Sequence, residues 1–121
     1  MISTIDRFLR YVKIDTQSDE NTKTTPSTEK QRVLAELLAK ELEEMGAEEV
    51  VCDEQYGYVY ASVPASEGCE NASVLGFIAH MDTSPAVTGE NVNPRIIERY
   101  DGGDILLNDA PSGSVTCLMR K

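Results

Sequence analysis

The spacing of apolar residues predicts a short first helix near the start of the chain. Ser3 and Asp6 fit a capping box, in which each side chain accepts a backbone N–H bond at the helix start. Four apolar residues then recur at i, i+3, i+4 and i+7, the spacing of one helical face. They are Ile5, Phe8, Leu9 and Val12. Residues 15–18 break the pattern, and the polar stretch 18–26 is typical of a loop.

A second and longer helix is predicted between Thr28, as N-cap with Gln31 in the box position, and Gly46, as the C-terminal stop. Its apolar stripe consists of Val33, Leu34, Leu37, Leu38, Leu42 and Met45. The face opposite this stripe carries Glu36, Glu41, Glu43 and Glu44. Because charged residues on an amphipathic helix usually face water, we expect these four to form a solvated face.

Three further segments have strand character. Residues 50–52 and 57–63 are predicted to pair as a hairpin through 53–56. Residues 74–79 form a near-continuous apolar run, which is typical of a strand buried on both faces in an α/β sheet. The chain after residue 80 is irregular and rich in Pro, Gly and Asn, and residues 110–121 show no period. The pattern as a whole predicts an α/β fold.

Composition narrows the classes of function. The chain has 121 residues, 11 of them basic and 21 acidic, for a net charge of −10. A surface this acidic repels phosphate backbones and anionic lipid, so we expect neither a nucleic-acid nor a membrane partner. The three cysteines show no metal-binding spacing and favour reduced thiols. With no apolar targeting segment in the first residues, we expect a cytoplasmic location.

The only histidine in the chain, His80, directly follows the apolar run, and Asp82 stands two residues later. In an extended segment these two side chains point to the same side, and at a strand's carboxyl end both would face a ligand-binding crevice. Imidazole is the commonest metal ligand, and a carboxylate beside its second nitrogen fixes its tautomer. The pattern indicates a ligand with its orienting partner, or else a structural or exposed histidine. One pair cannot make a catalytic zinc site, which normally takes three protein ligands.

Other candidates for chemistry have simpler interpretations. No HExxH, GxSxG or P-loop pattern is present. Thr83 and Ser84 have no partners arranged as a triad, so we interpret them as loop hydroxyls. Gly102 and Gly103 indicate a turn. Three tyrosines spaced by two share one face of a strand and are expected to pack there; they are Tyr56, Tyr58 and Tyr60.

Several stretches resemble the tripeptide aminopeptidases of the dinuclear-zinc family that includes aminoacylase and glutamate carboxypeptidase-type enzymes. They are DTQS (15–18), PSTEKQ (26–31), ELEEMG (41–46), GFIAHMDTSP (76–85) and NVNPRIIERYDGGDI (91–105). The motif around His80 resembles that of the whole family, whereas the last stretch resembles the tripeptide aminopeptidases specifically. The similarity extends from the first helix to about Leu107.

The resemblance implies that His80 is a ligand to one of two zinc ions and that Asp82 is the active-site aspartate that orients it. It implies a three-layer αβα catalytic domain with a mixed, largely buried sheet, and a smaller lid or dimerisation domain. The reaction would release the N-terminal residue of a tripeptide, with two metals and a glutamate base. The expected partner is therefore a small peptide substrate, and a homo-oligomer is compatible with the resemblance.

The chain departs from this family in length, because family members are several times longer. We expect residues 1–108 to be the N-terminal part of the catalytic domain and 109–121 a divergent tail, with the lid or dimerisation domain absent. A second histidine ligand is missing, so we expect this chain alone to be inactive and to bind zinc weakly. Uncovered sheet surface should also make it marginally stable or prone to self-association. Another family amidohydrolase (a dipeptidase, carboxypeptidase or deacylase) and a non-catalytic remnant are the alternatives.

Overall fold

The computed structural model describes residues 2–103, which form a small mixed α/β unit with two helices and a two-stranded sheet. In chain order the elements are α1 (Thr4–Tyr11), α2 (Gln31–Glu44), β1 (Glu48–Cys52) and β2 (Val59–Ser62). The expected domain boundary at residue 108 and the divergent tail at 109–121 lie outside the described residues.

The predicted capping box at the start of α1 is confirmed. The Ser3 hydroxyl accepts a bond from the Asp6 N–H at 3.1 Å, and the Asp6 carboxylate accepts the Ser3 N–H at 3.3 Å. These bonds satisfy two backbone donors that have no partner within the helix. The helix ends at Tyr11, with Val12 as its C-cap.

The start of α2 differs from the prediction. Lys30 is the N-cap residue and makes no side-chain capping bond. Thr28 lies two residues before this N-cap, and its hydroxyl donates to the Gln17 carbonyl at 2.8 Å. Gln31 instead donates from its side chain to the hydroxyls of Thr28 and Ser27, at 3.1 and 3.0 Å. The polar residues of the predicted box therefore tie α2 to the preceding loop rather than capping it.

The end of α2 has the form that the sequence predicts. Gly46 adopts a left-handed conformation, with φ of +85°. This conformation is unfavourable for any L-residue that has a Cβ atom. The Gly46 N–H bonds to the Glu43 carbonyl at 2.9 Å, and the Ala47 N–H bonds to the Leu42 carbonyl at 3.0 Å. Together these two bonds make a Schellman motif, which satisfies carbonyls at the helix end.

The predicted hairpin is confirmed, with β1 and β2 pairing antiparallel. Val51 lies opposite Tyr60 and Cys52 opposite Val59, but Glu48 lies opposite Ser62, so the register shifts by one residue within β1. Glu49 stands at this irregularity with φ of +51°, and its carboxylate accepts a bond from the Ser62 hydroxyl at 2.9 Å. A register shift of this kind leaves one residue of the strand unpaired.

The core of the described residues is small and lies on α2. Its buried apolar residues are Leu34, Ala35 and Ala39, and α2 contacts both strands. The Arg32 guanidinium also reaches the hairpin connection, where it donates to the carbonyls of Glu54 and Gln55 at 2.6 and 3.2 Å. The helix and hairpin therefore form the most densely connected part of the described chain.

Glu41 does not belong to a solvated face, and this prediction is wrong. The residue is only 3% exposed. Its carboxylate accepts a bond from Arg7 at 2.7 Å and further bonds from Arg10 and from the Tyr11 hydroxyl. Because α1 places three donors against this point of α2, a carboxylate can be buried there with its charge compensated.

Within the described residues, the apolar run at 74–79 does not form the buried strand that the sequence predicts. It has no regular secondary structure, and Phe77 and Ile78 are 89% and 102% exposed. A strand is stable only when neighbouring strands pair with its backbone and other elements cover its faces. Within residues 2–103, no strand or helix does this for the run. The expected uncovered apolar surface is present, but on an irregular segment.

Candidate functional site

The segment that carries His80 is anchored next to the polar loop between the two helices. Thr83 forms an isolated parallel bridge with Gln17. The Thr83 N–H donates to the Thr16 carbonyl at 3.1 Å, and the Thr83 carbonyl accepts from the Ser18 N–H and hydroxyl, each at 2.9 Å. These bonds fix the backbone three residues after His80, against a loop in which Thr16 is buried.

The structure brings the two residues of the predicted site together. The Nδ1 atom of His80 lies 2.9 Å from the Asp82 carbonyl oxygen and 3.2 Å from its Oδ1. Both oxygens are acceptors, so Nδ1 must carry the hydrogen. In the neutral ring the lone pair is then on Nε2. The His80 side chain is 84% exposed, which leaves it accessible from water.

The donor set fits one metal ligand but not a complete site. An imidazole whose Nδ1–H is bonded to a carboxylate or carbonyl is the usual form of a histidine ligand. Among residues 2–103, however, no group of three or more His, Cys, Asp or Glu side chains is placed to hold a metal ion. The assignments of His80 as a ligand and of Asp82 as its orienting residue stay predictions.

A polar cluster that sequence reasoning missed lies beside this site, in the loop between the helices. The ammonium group of Lys30 is 2.7 Å from the Asp15 carboxylate and 3.4 Å from Oε1 of Gln17. The hydrogen bond from Lys30, followed by that from the Gln17 N–H, lowers the pKa of Asp15 below its ordinary value. The cluster is thus a fixed and charged feature of the loop.

The same cluster reaches the chain that follows Asp82. The Gln17 side-chain amide donates to the carbonyls of Pro85 and Val87, both at 3.0 Å. Gly89 lies so close to Asp15 that a Cβ there would come within 2.4 Å of Oδ1. The only sequence signal for these contacts is the DTQS stretch at 15–18, which resembles the family but does not itself indicate a partner.

The remaining candidate residues have structural roles where they are described. Thr83 takes part in the bridge, and the Ser84 hydroxyl accepts the Ala86 N–H at 3.2 Å. The three tyrosines form a row in which successive ring centroids are 6.2 Å apart. Cys52 and Cys69 are free thiols, and burial raises the pKa of Cys52. Within the described residues, neither helix is long and apolar enough to span a membrane.

Comparison with known proteins places this geometry in context. No protein-family model matches the chain. It is 56% identical over 105 residues to Peptidase T of Geobacillus thermodenitrificans, a match that covers 87% of the chain and 25% of the relative. Peptidase T of Clostridium acetobutylicum is 55% identical over 108 residues, which are 89% of the chain and 26% of the relative. Peptidase T of Parabacteroides distasonis is 55% identical over 107 residues, which are 88% of the chain and 26% of the relative.

The matches are uniform in extent. Each covers almost nine-tenths of the chain, whereas the chain spans about a quarter of the length of the relatives it matches. The resemblance to this kind of peptidase, which the sequence motifs indicate, is therefore confirmed as a resemblance to one quarter of Peptidase T.

Proposed function

We propose that this chain is a segment of a metallopeptidase catalytic domain of the Peptidase T type, which releases the N-terminal residue from tripeptides when the domain is complete. The observation that carries the proposal is the identity of 50–56% with Peptidase T over almost nine-tenths of the chain. The contact between His80 and Asp82 supports it, because this pair has the geometry of a histidine ligand and its hydrogen-bond acceptor.

In this proposal each residue of the pair has a separate task. His80 offers the Nε2 lone pair to the metal, and Asp82 holds the Nδ1–H and so fixes the tautomer and the ring direction. When bound, a pair of zinc ions would polarise the scissile carbonyl and supply hydroxide at neutral pH. The general base and the other ligands would come from the remainder of the catalytic domain, so the isolated chain should have no peptidase activity.

The proposal also gives a place to the uncovered apolar run. In a three-layer αβα domain, residues 74–79 would be an inner strand whose neighbours are supplied by chain outside the described residues. The exposure of Phe77 and Ile78 supports this placement, because consecutive exposed apolar side chains are typical of a surface that packs against another part of a protein. A small peptide substrate, a homo-oligomeric state and a cytoplasmic location remain predictions.

A chimera tests the proposed function directly. Residues 2–103 would replace the matching stretch of Peptidase T from G. thermodenitrificans, so that the relative supplies the rest of the protein. We expect the chimera to cleave tripeptides, and His80→Ala to lower kcat/KM by about a hundredfold or more, because removing a ligand disrupts the metal site. Gln55→Glu, on the exposed hairpin connection, is the control and should retain activity.

The outcomes separate the alternatives. Preference for dipeptides or N-acyl amino acids over tripeptides would favour another amidohydrolase of the family. A folded chimera that is inactive on all three substrate classes would favour a non-catalytic remnant. Full activity of the His80→Ala chimera would show that this histidine is not a ligand.

A further inference from the structure

We propose that Gln17 is a positioning residue for the His80–Asp82 pair. Its side chain holds the backbone that follows Asp82 through hydrogen bonds to Pro85 and Val87, and we call these two bonds the clamp. This inference rests on the proposed function for the meaning of the pair, but its contacts are independent of that function. Gln17 lies in the loop before α2 and is separated from Pro85 and Val87 by 68 and 70 residues.

Both ends of the Gln17 carboxamide take part in these contacts. Its Nε2 carries two hydrogens, and these point to two carbonyl oxygens, of Pro85 and Val87, both at 3.0 Å. Its Oε1 faces the Lys30 ammonium at 3.4 Å. Two donors and one acceptor at these positions match a carboxamide and no other side chain of this length.

The clamp is itself held in place from α2. Lys30 is the N-cap residue of that helix, and its ammonium contacts both Gln17 and Asp15. Asp15 in turn accepts the Gln17 N–H at 3.0 Å and packs closely against Gly89. Gln17 therefore connects the helix to the site segment through contacts at both ends of its side chain.

The clamp matters because residues 80–89 have little order of their own. Within them the only element of regular pairing is the bridge at Thr83. Ordering the backbone of a free residue costs conformational entropy, so a pair on an unsupported loop would be spread over many geometries. With the bridge and the clamp together, the chain is held at Thr83, Pro85 and Val87, directly after the residue that bonds His80.

The experiment uses the fact that His80 is the only histidine, so every imidazole signal in an NMR spectrum reports this residue. Nitrogen shifts of the ring would be recorded without metal and at alkaline pH, where imidazole is neutral. The variant is Gln17→Glu, which keeps the length and the contact with Lys30 but faces two carbonyl oxygens with a carboxylate. Gln55→Glu makes the same change of charge on the hairpin side of the molecule and is the control.

In the unchanged chain we expect nuclear Overhauser effects between the Gln17 side-chain amide and the Hα protons of Pro85 and Val87, and a ring in the Nδ1–H tautomer. Gln17→Glu should lose the Nδ1–H preference and shift toward the tautomer ratio of an unstructured histidine, with the amide signals of α2 unchanged. Gln55→Glu should leave the ring signals as they are.

Three results would overturn the inference. One is the absence of those Overhauser effects in the unchanged chain, and a second is an unaltered tautomer in Gln17→Glu. The third is loss of the α2 signals in Gln17→Glu, which would make Gln17 a residue of general stability instead. Because no metal or substrate is used, inactivity of the chimera would leave this test standing, and failure here would leave the proposed peptidase activity standing.

Discussion

The segment up to Ser62 and the segment from Pro64 to Gly103 contain similar kinds of side chains but differ in structure. The first has both helices, both strands and the buried core on α2. The second has no helix or strand among its described residues, although it contains the most apolar run of the chain. In the first, α2 and the hairpin that follows it pack against each other. In the second, no helix or strand of the described residues covers the apolar run.

The comparison shows that hydrophobicity alone does not bury a segment. Leu34 is buried because the hairpin follows α2 within a few residues and covers it. Phe77 belongs to an apolar run that the sequence predicts as a buried strand, yet nothing in the described chain covers it. The second segment is held instead by polar contacts from Thr16, Gln17 and Ser18.

Truncation of one apolar residue in each segment gives the largest expected contrast. Leu34→Ala should lower the free energy of unfolding by about 3 kcal/mol, since it removes buried methyl groups and leaves a cavity. Phe77→Ala should change it by less than about 0.5 kcal/mol, because its ring is already in water. Urea denaturation measures both. A large loss for Phe77→Ala would show that the run is packed in solution and would break the comparison.

The second-largest expected change in the free energy of unfolding comes from the buried carboxylate of Glu41 on α2. Glu41→Gln should cost about 2 kcal/mol, because it leaves Arg7 and Arg10 without their counter-charge, although both still reach water in part. Glu43→Gln, on the exposed side of the same helix, should be within about 0.5 kcal/mol of the unchanged chain. The same denaturation experiment compares them, and equal effects would argue that Glu41 is solvated after all.

Gly46 and Gly76 allow the backbone constraint of the two segments to be compared, because a Cβ atom added at either residue would meet nothing within 4 Å. Gly46→Ala should cost about 1 kcal/mol, because φ of +85° strains any residue that has a Cβ. Gly76→Ala introduces a methyl group that likewise meets nothing within 4 Å, but at a position without positive φ, so stability should stay within about 0.5 kcal/mol. A cost at Gly76 as large as that at Gly46 would contradict the absence of constraint in the apolar run.

The ion pair beside the site should give the smallest effect, visible in titration. Hydrogen bonds from Lys30 and from the Gln17 N–H lower the pKa of Asp15 in the folded chain. The stabilisation from its carboxylate is therefore present above the unfolded-state pKa and is lost as pH falls through the folded value. In Lys30→Met, carboxyl NMR should show the pKa of Asp15 moving up toward the ordinary value. No movement would mean that Lys30 does not hold this loop.

Local signals in the sequence were sufficient for the elements of the first segment. The capping box at Ser3, the stop at Gly46 and the hairpin each depend on residues within a few positions, and all three are confirmed. The prediction of a cap at Thr28 was wrong because the helix begins at Gln31 with Lys30 as its N-cap, and the Thr28 hydroxyl contacts the distant Gln17 carbonyl instead. Glu41 was misjudged for the same reason, since its three donors come from another helix.

The candidate site shows the same limit of sequence reasoning. His80 and Asp82 are two residues apart, so their proximity could be predicted from spacing alone. The contacts of Gln17 with Pro85 and Val87 could not, because nothing in a polar loop indicates which distant carbonyls it will meet. The three-layer sheet depends on neighbours of the apolar run, and the sheet within residues 2–103 has only β1 and β2.

Zinc titration of the 121-residue chain, followed at the imidazole of His80, tests most directly whether the pair is one corner of a metal site. Because a catalytic zinc site normally needs three protein ligands, we expect weak binding that perturbs Nε2. Calorimetry, which does not depend on the imidazole signal, should show that this binding is lost in His80→Ala. Tight stoichiometric binding, or binding that leaves the Nε2 signal unchanged, would contradict the assignment of His80 as a single ligand of a larger centre.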